Sequence, residues 1–564
     1  MNMGASYNSK IKDLLALQSA TSEQPYSIFH RIDLAKAYQS LGYPDLAAGD
    51  AYKALLLIDE LVEEGEYHDE ALEAAKEDSL SRDFAGMAIK TVETNTCDGS
   101  NHLLEWTSTT CYPRAYELLI NCLIDCGNLR SASEYISRAK KRFPYNIVFE
   151  TCDALLSSKL QAWCTAHGKL ANDVDVEDYP DRGMVRRENY PWNVHEPDRF
   201  TEDCLQFLND EMANVAPKLE VRICELPLLA THASIPSSSA TVYVKQLGVF
   251  AKQEIPPGEQ LLTEKSMLTA IARLHDAYCD ACSLALPKAR EATLGAPTNE
   301  VQSCEECEEV FFCSTECHNM AQDKYHPSVC GIDVDQAKVP AGEASADSLY
   351  TSLSIRALAL AATQGLHPLD LPELRYIWGD YHGLDLESIW SEDTSGKAVD
   401  AFRSVPQTLP FSFKSTVLTS LHLLEKMDVN IFTHSDRYDT WVINTIYAKL
   451  RGTASARQGL DGRPEIGAVH PMWCLANHSC DPNVAWDWQG TMRLWSREEL
   501  VNWDGREPDA KPGVRQGAEV LSHYCDVRLP VNERREWAAG ALGGDCVCRR
   551  CLWEAAQAPH SDSN

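Results

Sequence analysis

Between positions 279 and 330 the chain carries eight soft metal donors: Cys279-x2-Cys282, Cys304-x2-Cys307, Cys313-x3-Cys317 and His326-x3-Cys330. Eight donors suffice for two tetrahedral zinc ions, because a structural zinc takes four thiolate or imidazole ligands. Each C-x2-C pair lets two thiolates chelate one ion, and each ion then needs two more donors from a distant pair. Spacing alone leaves open whether the pairs interleave or follow one another. With all four positions filled by protein there is no place for a reactive water, so these ions are structural and the segment needs them to fold. Further on, Cys546-x-Cys548-x2-Cys551 offers three thiolates, so a closed site requires a fourth ligand from elsewhere. The chain has 21 cysteines, and its start, MNMGASYNSK, has no export signal, which favours metal ligation over a disulfide framework.

The most specific string is Asn477-His478-Ser479-Cys480-Asp481-Pro482-Asn483. It contains a glycosylation sequon, which is incidental in a chain without a secretion signal. The string resembles the NHSC-x-PN motif of SET-domain methyltransferases, and Gly517-Ala518-Glu519-Val520-Leu521-Ser522-His523-Tyr524 is similar to that family's GEE-x-x-x-x-Y. Upstream, LGVFAKQEIPPGEQLLTE resembles the strand-turn-strand that opens a SET domain. The order of the 279–330 cysteines, with FFCSTEC in the middle, looks like a MYND zinc finger. Asp526, Glu533, Arg534, Arg535 and the closing cysteines keep the spacing of proteins that combine SET and MYND domains.

This resemblance implies a protein-lysine N-methyltransferase that uses S-adenosylmethionine and carries three structural zinc ions. One ion would be held by Cys279, Cys282, Cys313 and Cys317, and a second by Cys304, Cys307, His326 and Cys330. The third would be held by Cys546, Cys548 and Cys551 with Cys480. It also implies cofactor contacts from Gly248, Asn477 and His478, and from Asn444 in WVINTIY, with Tyr524 as the catalytic residue that orients the amine. Methyl transfer from a sulfonium needs a neutral amine lone pair aimed in line, and a dry channel beside the cation lowers lysine's pKa. Two features depart from the family. Gln246-Leu247-Gly248-Val249 keeps only the second glycine of the usual G-x-G. Leu542 and Gly544 stand where aromatic residues line the lysine channel, leaving Trp537, Trp553 or Tyr447 to replace them. These departures support an alternative, a catalytically inactive adaptor that recruits protein partners.

The elements that must position these residues give a multidomain α+β chain. Residues 1–165 read as helices with an internal repeat that resembles tetratricopeptide repeats. The positions of Ala35, Tyr38, Gly42, Ala47, Ala51 and Ala54 correspond to those of Ile120, Leu123, Gly127, Ala132, Ile136 and Ala139, and Pro144 follows the second copy. Residues 166–236 read as an irregular connector with no chemistry of their own. A β-rich SET domain then begins at 237–275 and is split by the MYND module at 276–332 and a helical insertion at 333–435. It resumes at 436–540 and closes with a post-SET zinc segment at 541–556 and a tail at 557–564.

A net charge of -32 disfavours direct nucleic-acid binding and suits cationic protein partners. The expected substrates are proteins with accessible lysines, histone or non-histone. Further protein partners would bind the helical repeats and the MYND module, without membrane association. A monomer in the cytosol or nucleus is expected.

Overall fold

The computed structural model of the chain describes residues 7–81, 103–227, 229, 243–271, 275–286, 301–332, 345–378, 407–458, 464–542 and 544–557. It is a mixed α+β protein with small sheets. It divides into two compact units, Met1–Trp192 with His382–Asn444, and Asn193–Tyr381 with Thr445–Asn564. Among the described residues no helix is long and apolar enough to cross a membrane.

In the first unit, helices Tyr7–Glu23, Ile28–Ser40, Pro44–Val62, Tyr112–Asp125, Leu129–Arg142 and Val148–Ala166 pack in succession. Ser27 caps Ile28–Ser40 by accepting from the His30 N–H. That helix stops just before Gly42, whose φ of 75° is cheap only for glycine, and Pro44 opens the next helix. Gly127, at φ 78°, does the same between Tyr112–Asp125 and Leu129–Arg142. Ala35, Ala47, Ala51, Ala54, Ala132 and Ala139 are fully buried and let the helices approach closely. Two buried ion pairs, Arg31–Asp50 and Lys53–Asp439, both at 3.0 Å, tie these helices to each other and to the later segment around Asp439. Removing one partner of such a pair costs about 3–5 kcal/mol, because the other charge stays buried alone.

Strand Gly183–Arg186 pairs antiparallel with Gln407–Phe411 in this unit, so part of the expected connector is sheet. Gly183 runs against the end of helix Tyr112–Asp125, where an added Cβ would lie 1.7 Å from the Cys126 carbonyl oxygen. Backbone cannot move aside as a flexible side chain can. Gly183→Ala is therefore expected to destabilise the first unit by about 1–3 kcal/mol, measured as a lower urea midpoint. An unchanged midpoint would contradict the packing described.

The second unit begins its sheet earlier than the sequence suggests. Strand Leu219–Pro227 pairs along its whole length with Tyr243–Ala251, within the segment read as irregular up to 236. Its sequence, LEVRICELP, places charges beside apolar residues and leaves Ile223 40% exposed, so only the partner strand identifies it. Two further sheets close across the long insertions. Gln260–Glu264 pairs with Met492–Ser496, which pairs with Val484–Trp488. Thr269–Ile271 pairs with Pro464–Ala468, which pairs with Ser455–Gln458. The expected single helical insertion is divided: helix Ser345–Gln364 belongs to the second unit, whereas Gln407–Phe411 and the helix Thr419–Lys426 belong to the first.

Candidate metal centres and active site

Three groups of four soft donors form in the second unit, each with its ligand atoms mutually within 4.8 Å: Cys279, Cys282, Cys313, Cys317; Cys304, Cys307, His326, Cys330; and Cys480, Cys546, Cys548, Cys551. The pairs in the 279–330 segment therefore interleave. Each C-x2-C knuckle is built the same way. Ser283 (φ 63°) and Glu308 (φ 56°) follow the second cysteine, and their N–H groups return to the carbonyls of Cys279 and Cys304. Cys317 sits in the first turn of helix Thr315–Lys324, which Ser314 caps.

Zn–S bonds of about 2.3 Å in a tetrahedron place the sulfurs about 3.8 Å apart. The separations found are 3.7 Å for Cys282–Cys313, 3.6 Å for Cys313–Cys317, 3.8 Å for Cys304–Cys330 and 4.0 Å for Cys480–Cys546. Cys307 Sγ and His326 Nε2 are 3.7 Å apart. Disulfide sulfurs would stand about 2.0 Å apart, so donor type and spacing are compatible with structural zinc. Hydrogen bonds from neighbouring thiols, Cys282 foremost, hold Cys279 far below the usual thiol range. Cys480 leads a similar set around Cys548.

Partners outside the donor sets brace them. Asp280 accepts from Tyr325 Oη at 2.6 Å and from Arg356 Nη2 at 2.9 Å. At the third group, Arg534 Nη2 donates to Cys551 Sγ at 3.6 Å, and Arg550 Nη1 donates to the carbonyls of Cys480 and Val527. Another group, His195, His367 and Asp370, also has its donor atoms within 4.8 Å. Its imidazoles stack in parallel at 3.7 Å, and one ion cannot lie in both ring planes, so it carries no metal argument.

Gly248, Asn477, His478 and Tyr524 come together in the same unit. Asn477 Nδ2 donates to the Leu247 carbonyl at 2.9 Å and to Glu519 Oε1 at 2.7 Å, leaving the amide oxygen to accept from a ligand. A Cβ on Gly248 would stand 2.7 Å from Glu519 Oε1, 3.1 Å from Asn477 Nδ2 and 3.1 Å from Cys224 Sγ, so a side chain here would push these three side-chain ends aside. Burial raises the Glu519 carboxyl above its ordinary value, while the Asn477 bond lowers it.

His478 Nδ1 accepts from the Tyr524 N–H at 3.0 Å, and Nε2 faces Cys480 Sγ at 3.3 Å. This arrangement assigns the proton to Nε2, and burial pushes the imidazole down to about 4. The ring therefore links Tyr524 to the third cysteine group. Tyr524 Oη donates to the Ala476 carbonyl at 3.0 Å. Ser522 N–H donates to Asn477 O, and Ser479 N–H donates to Ser522 O, so segments 477–479 and 517–524 share main-chain bonds.

Asn444 has different neighbours. It lies in the first unit, 3% exposed, where Nδ2 donates to Asp45 Oδ2 at 2.7 Å and to Tyr190 Oη at 3.4 Å. Gln246 Oε1 accepts from Arg199 Nη1 at 3.0 Å. Leu542 packs on the cluster around Cys480 and Cys551, and a Cβ on Gly544 would meet Leu229 Cβ at 3.0 Å. Of the substitute aromatics, Trp553 packs on Trp503, Tyr447 on Tyr350, and Trp537 is 58% exposed.

No family model matches the chain, and no curated protein matches it.

Glu264 belongs to the same site, though no motif marks it in the sequence. It is 5% exposed and accepts from the Met472 and Trp473 N–H groups at 3.0 and 2.9 Å, anchoring the turn that leads into Asn477. The signal was its place two residues after Leu262, on the same inward face of strand Gln260–Glu264. Burial pushes its carboxyl up to about 7. A carboxyl raised in the folded state stabilises most below its unfolded pKa, and that contribution is lost as pH rises through 7. Stability should therefore fall between about pH 4.5 and 7, with a slope of up to about 1.4 kcal/mol per unit, and level off above. Glu264→Gln should flatten this slope, read from urea midpoints in zinc-containing buffer. Buried His470, whose pKa burial lowers to about 3, contributes oppositely in both proteins and cancels in the comparison. Equal slopes would refute the assignment.

Proposed function

We propose that this chain transfers the methyl group of S-adenosylmethionine to lysine side chains of proteins, through a SET domain interrupted by a MYND module and held by three structural zinc ions. The observation that carries the reading is the convergence of Gly248, Asn477, His478 and Tyr524 through direct hydrogen bonds and close packing. S-adenosylmethionine supplies an electrophilic methyl on a sulfonium. The protein's part is to bind, orient and dehydrate. Gly248 lets the Asn477 and Glu519 side chains close on the main chain, and the Asn477 amide oxygen, whose Nδ2 is taken by Leu247 O and Glu519, would accept from the ligand. The Tyr524 hydroxyl, anchored on Ala476 O, orients the incoming amine. Cys480, with Cys546, Cys548 and Cys551, would hold the third zinc and so tie one end of the NHSC segment to the closing cysteines.

Leu542 and Gly544 favour the competing adaptor reading, because Leu229 takes up the space beside Gly544. The deciding experiment incubates zinc-replete protein with radiolabelled S-adenosylmethionine and a pool of nuclear and cytosolic proteins. Label on lysines of particular proteins supports the enzyme and begins to name its substrate. Absence of label together with no heat of cofactor binding in calorimetry leaves the adaptor.

A further inference from the structure

Cys525 lies outside the four-donor groups, yet its Sγ is within 4.8 Å of both Cys480 Sγ and a His478 ring nitrogen. It is 3% exposed and shares an apolar cluster with Cys480, Cys546, Cys551, Val531 and Ala538. Tetrahedral valence at the third group is complete without it. A fifth thiol beside four donor thiols therefore needs its own account, and its position supplies one. Cys525 directly follows Tyr524, whose N–H is bonded to His478, which in turn faces Cys480. Cys480 is thus a metal donor, the neighbour of His478 and the nearest redox partner for Cys525.

We infer that Cys480 and Cys525 form an oxidisable pair through which a small hydroperoxide opens the third metal centre. The inference rests on the zinc reading of that centre. The Cys525 sulfur, which no ion holds, attacks the peroxide. An S–O bond forms, the O–O bond breaks, and the product is a sulfenic acid with one water. The Cys480 thiolate, given up by the metal position, then attacks the sulfenic sulfur, forming an S–S bond and expelling hydroxide, which takes a proton from solvent to become a second water. One thiol and one thiolate lose two electrons, and with one proton from solvent one hydrogen peroxide becomes two waters. The sulfurs must close to about 2.0 Å. Cys480 is then lost to the ion, which keeps only Cys546, Cys548 and Cys551. The new bond also pulls on the residue beside Tyr524, so oxidation reports directly to the site. Burial of both sulfurs makes the first step slow and selects small oxidants.

The test uses the full chain and its Cys525→Ser and Cys525→Ala variants, with metal counted by inductively coupled plasma mass spectrometry and disulfides located by peptide mapping. Untreated, all three proteins should hold the same zinc, one ion for each of the three donor groups. On treatment with hydrogen peroxide, the unmodified chain should lose one ion and gain a Cys480–Cys525 disulfide. Both changes should reverse with dithiothreitol and added zinc. The variants should release that ion at least roughly tenfold more slowly, since thiol–disulfide exchange needs the second sulfur. Release at the same rate in all three, or a disulfide confined to Cys546, Cys548 and Cys551, would overturn the pair. A zinc count short by one in all untreated proteins would instead overturn the metal reading, and the disulfide map would still decide the pair.

Discussion

Tyr524→Phe is expected to lower lysine methylation by about 10²–10³-fold while leaving S-adenosylmethionine affinity within about twofold, the pattern of a group that acts mainly in the transition state. The structure explains why one oxygen can be removed cleanly. Tyr524 is held at its main chain by His478 Nδ1, and its ring lies 5.0 Å from the His478 ring, neither of which needs the hydroxyl. The Tyr524 bond to Ala476 O, worth about 1 kcal/mol to stability, is lost. In the proposed reaction the missing hydroxyl leaves the amine without an orienting partner, a penalty of about 3–4 kcal/mol in the barrier. Steady-state kcat/KM with a labelled substrate and calorimetric cofactor binding separate the two quantities. Activity within threefold of the parent would remove Tyr524 from the chemistry.

Metal removal should have the larger structural effect. In the described part of 279–330, regular structure amounts to the strand pair Gln302–Ser303 with Phe311–Phe312, the helix Thr315–Lys324 and a short 3-10 turn. Phe312, Ala321 and Tyr325 are among its few buried apolar side chains. Such a segment cannot offset its own conformational entropy by apolar burial, whereas a structural zinc contributes about 10–16 kcal/mol of binding free energy to folding. An excess of strong zinc chelator is therefore expected to abolish amide protection across 279–286 and 301–330. The Asp280 brace made by Tyr325 and Arg356 should go with it, while helices Ile28–Ser40 and Pro44–Val62 of the first unit stay protected. Hydrogen exchange read by mass spectrometry resolves both regions in one experiment. Protection that survives in 279–286 and 301–330 after the metal is gone would show an apolar core sufficient by itself.

The sequence by itself determined what depends on neighbours along the chain. The C-x2-C knuckles, the glycine between paired helices and the turn Ile255-Pro256-Pro257-Gly258 before strand Gln260–Glu264 are legible because φ/ψ preference and chelate spacing act over a few residues. Valence required a fourth donor for Cys546, Cys548 and Cys551, and the family resemblance pointed to Cys480. Tertiary structure decided which distant residues meet. It interleaved the two cysteine sets, a choice that spacing had left open. It made LEVRICELP a strand because Tyr243–Ala251 lies beside it, and it buried Glu264 beneath the Met472–Trp473 turn. Asn444, singled out by a short motif, bonds Asp45 and Tyr190 in the first unit instead of joining Gly248 and Asn477. Such partners lie hundreds of positions apart, and burial and pairing of that range follow from packing the whole chain, to which local propensity contributes only weakly.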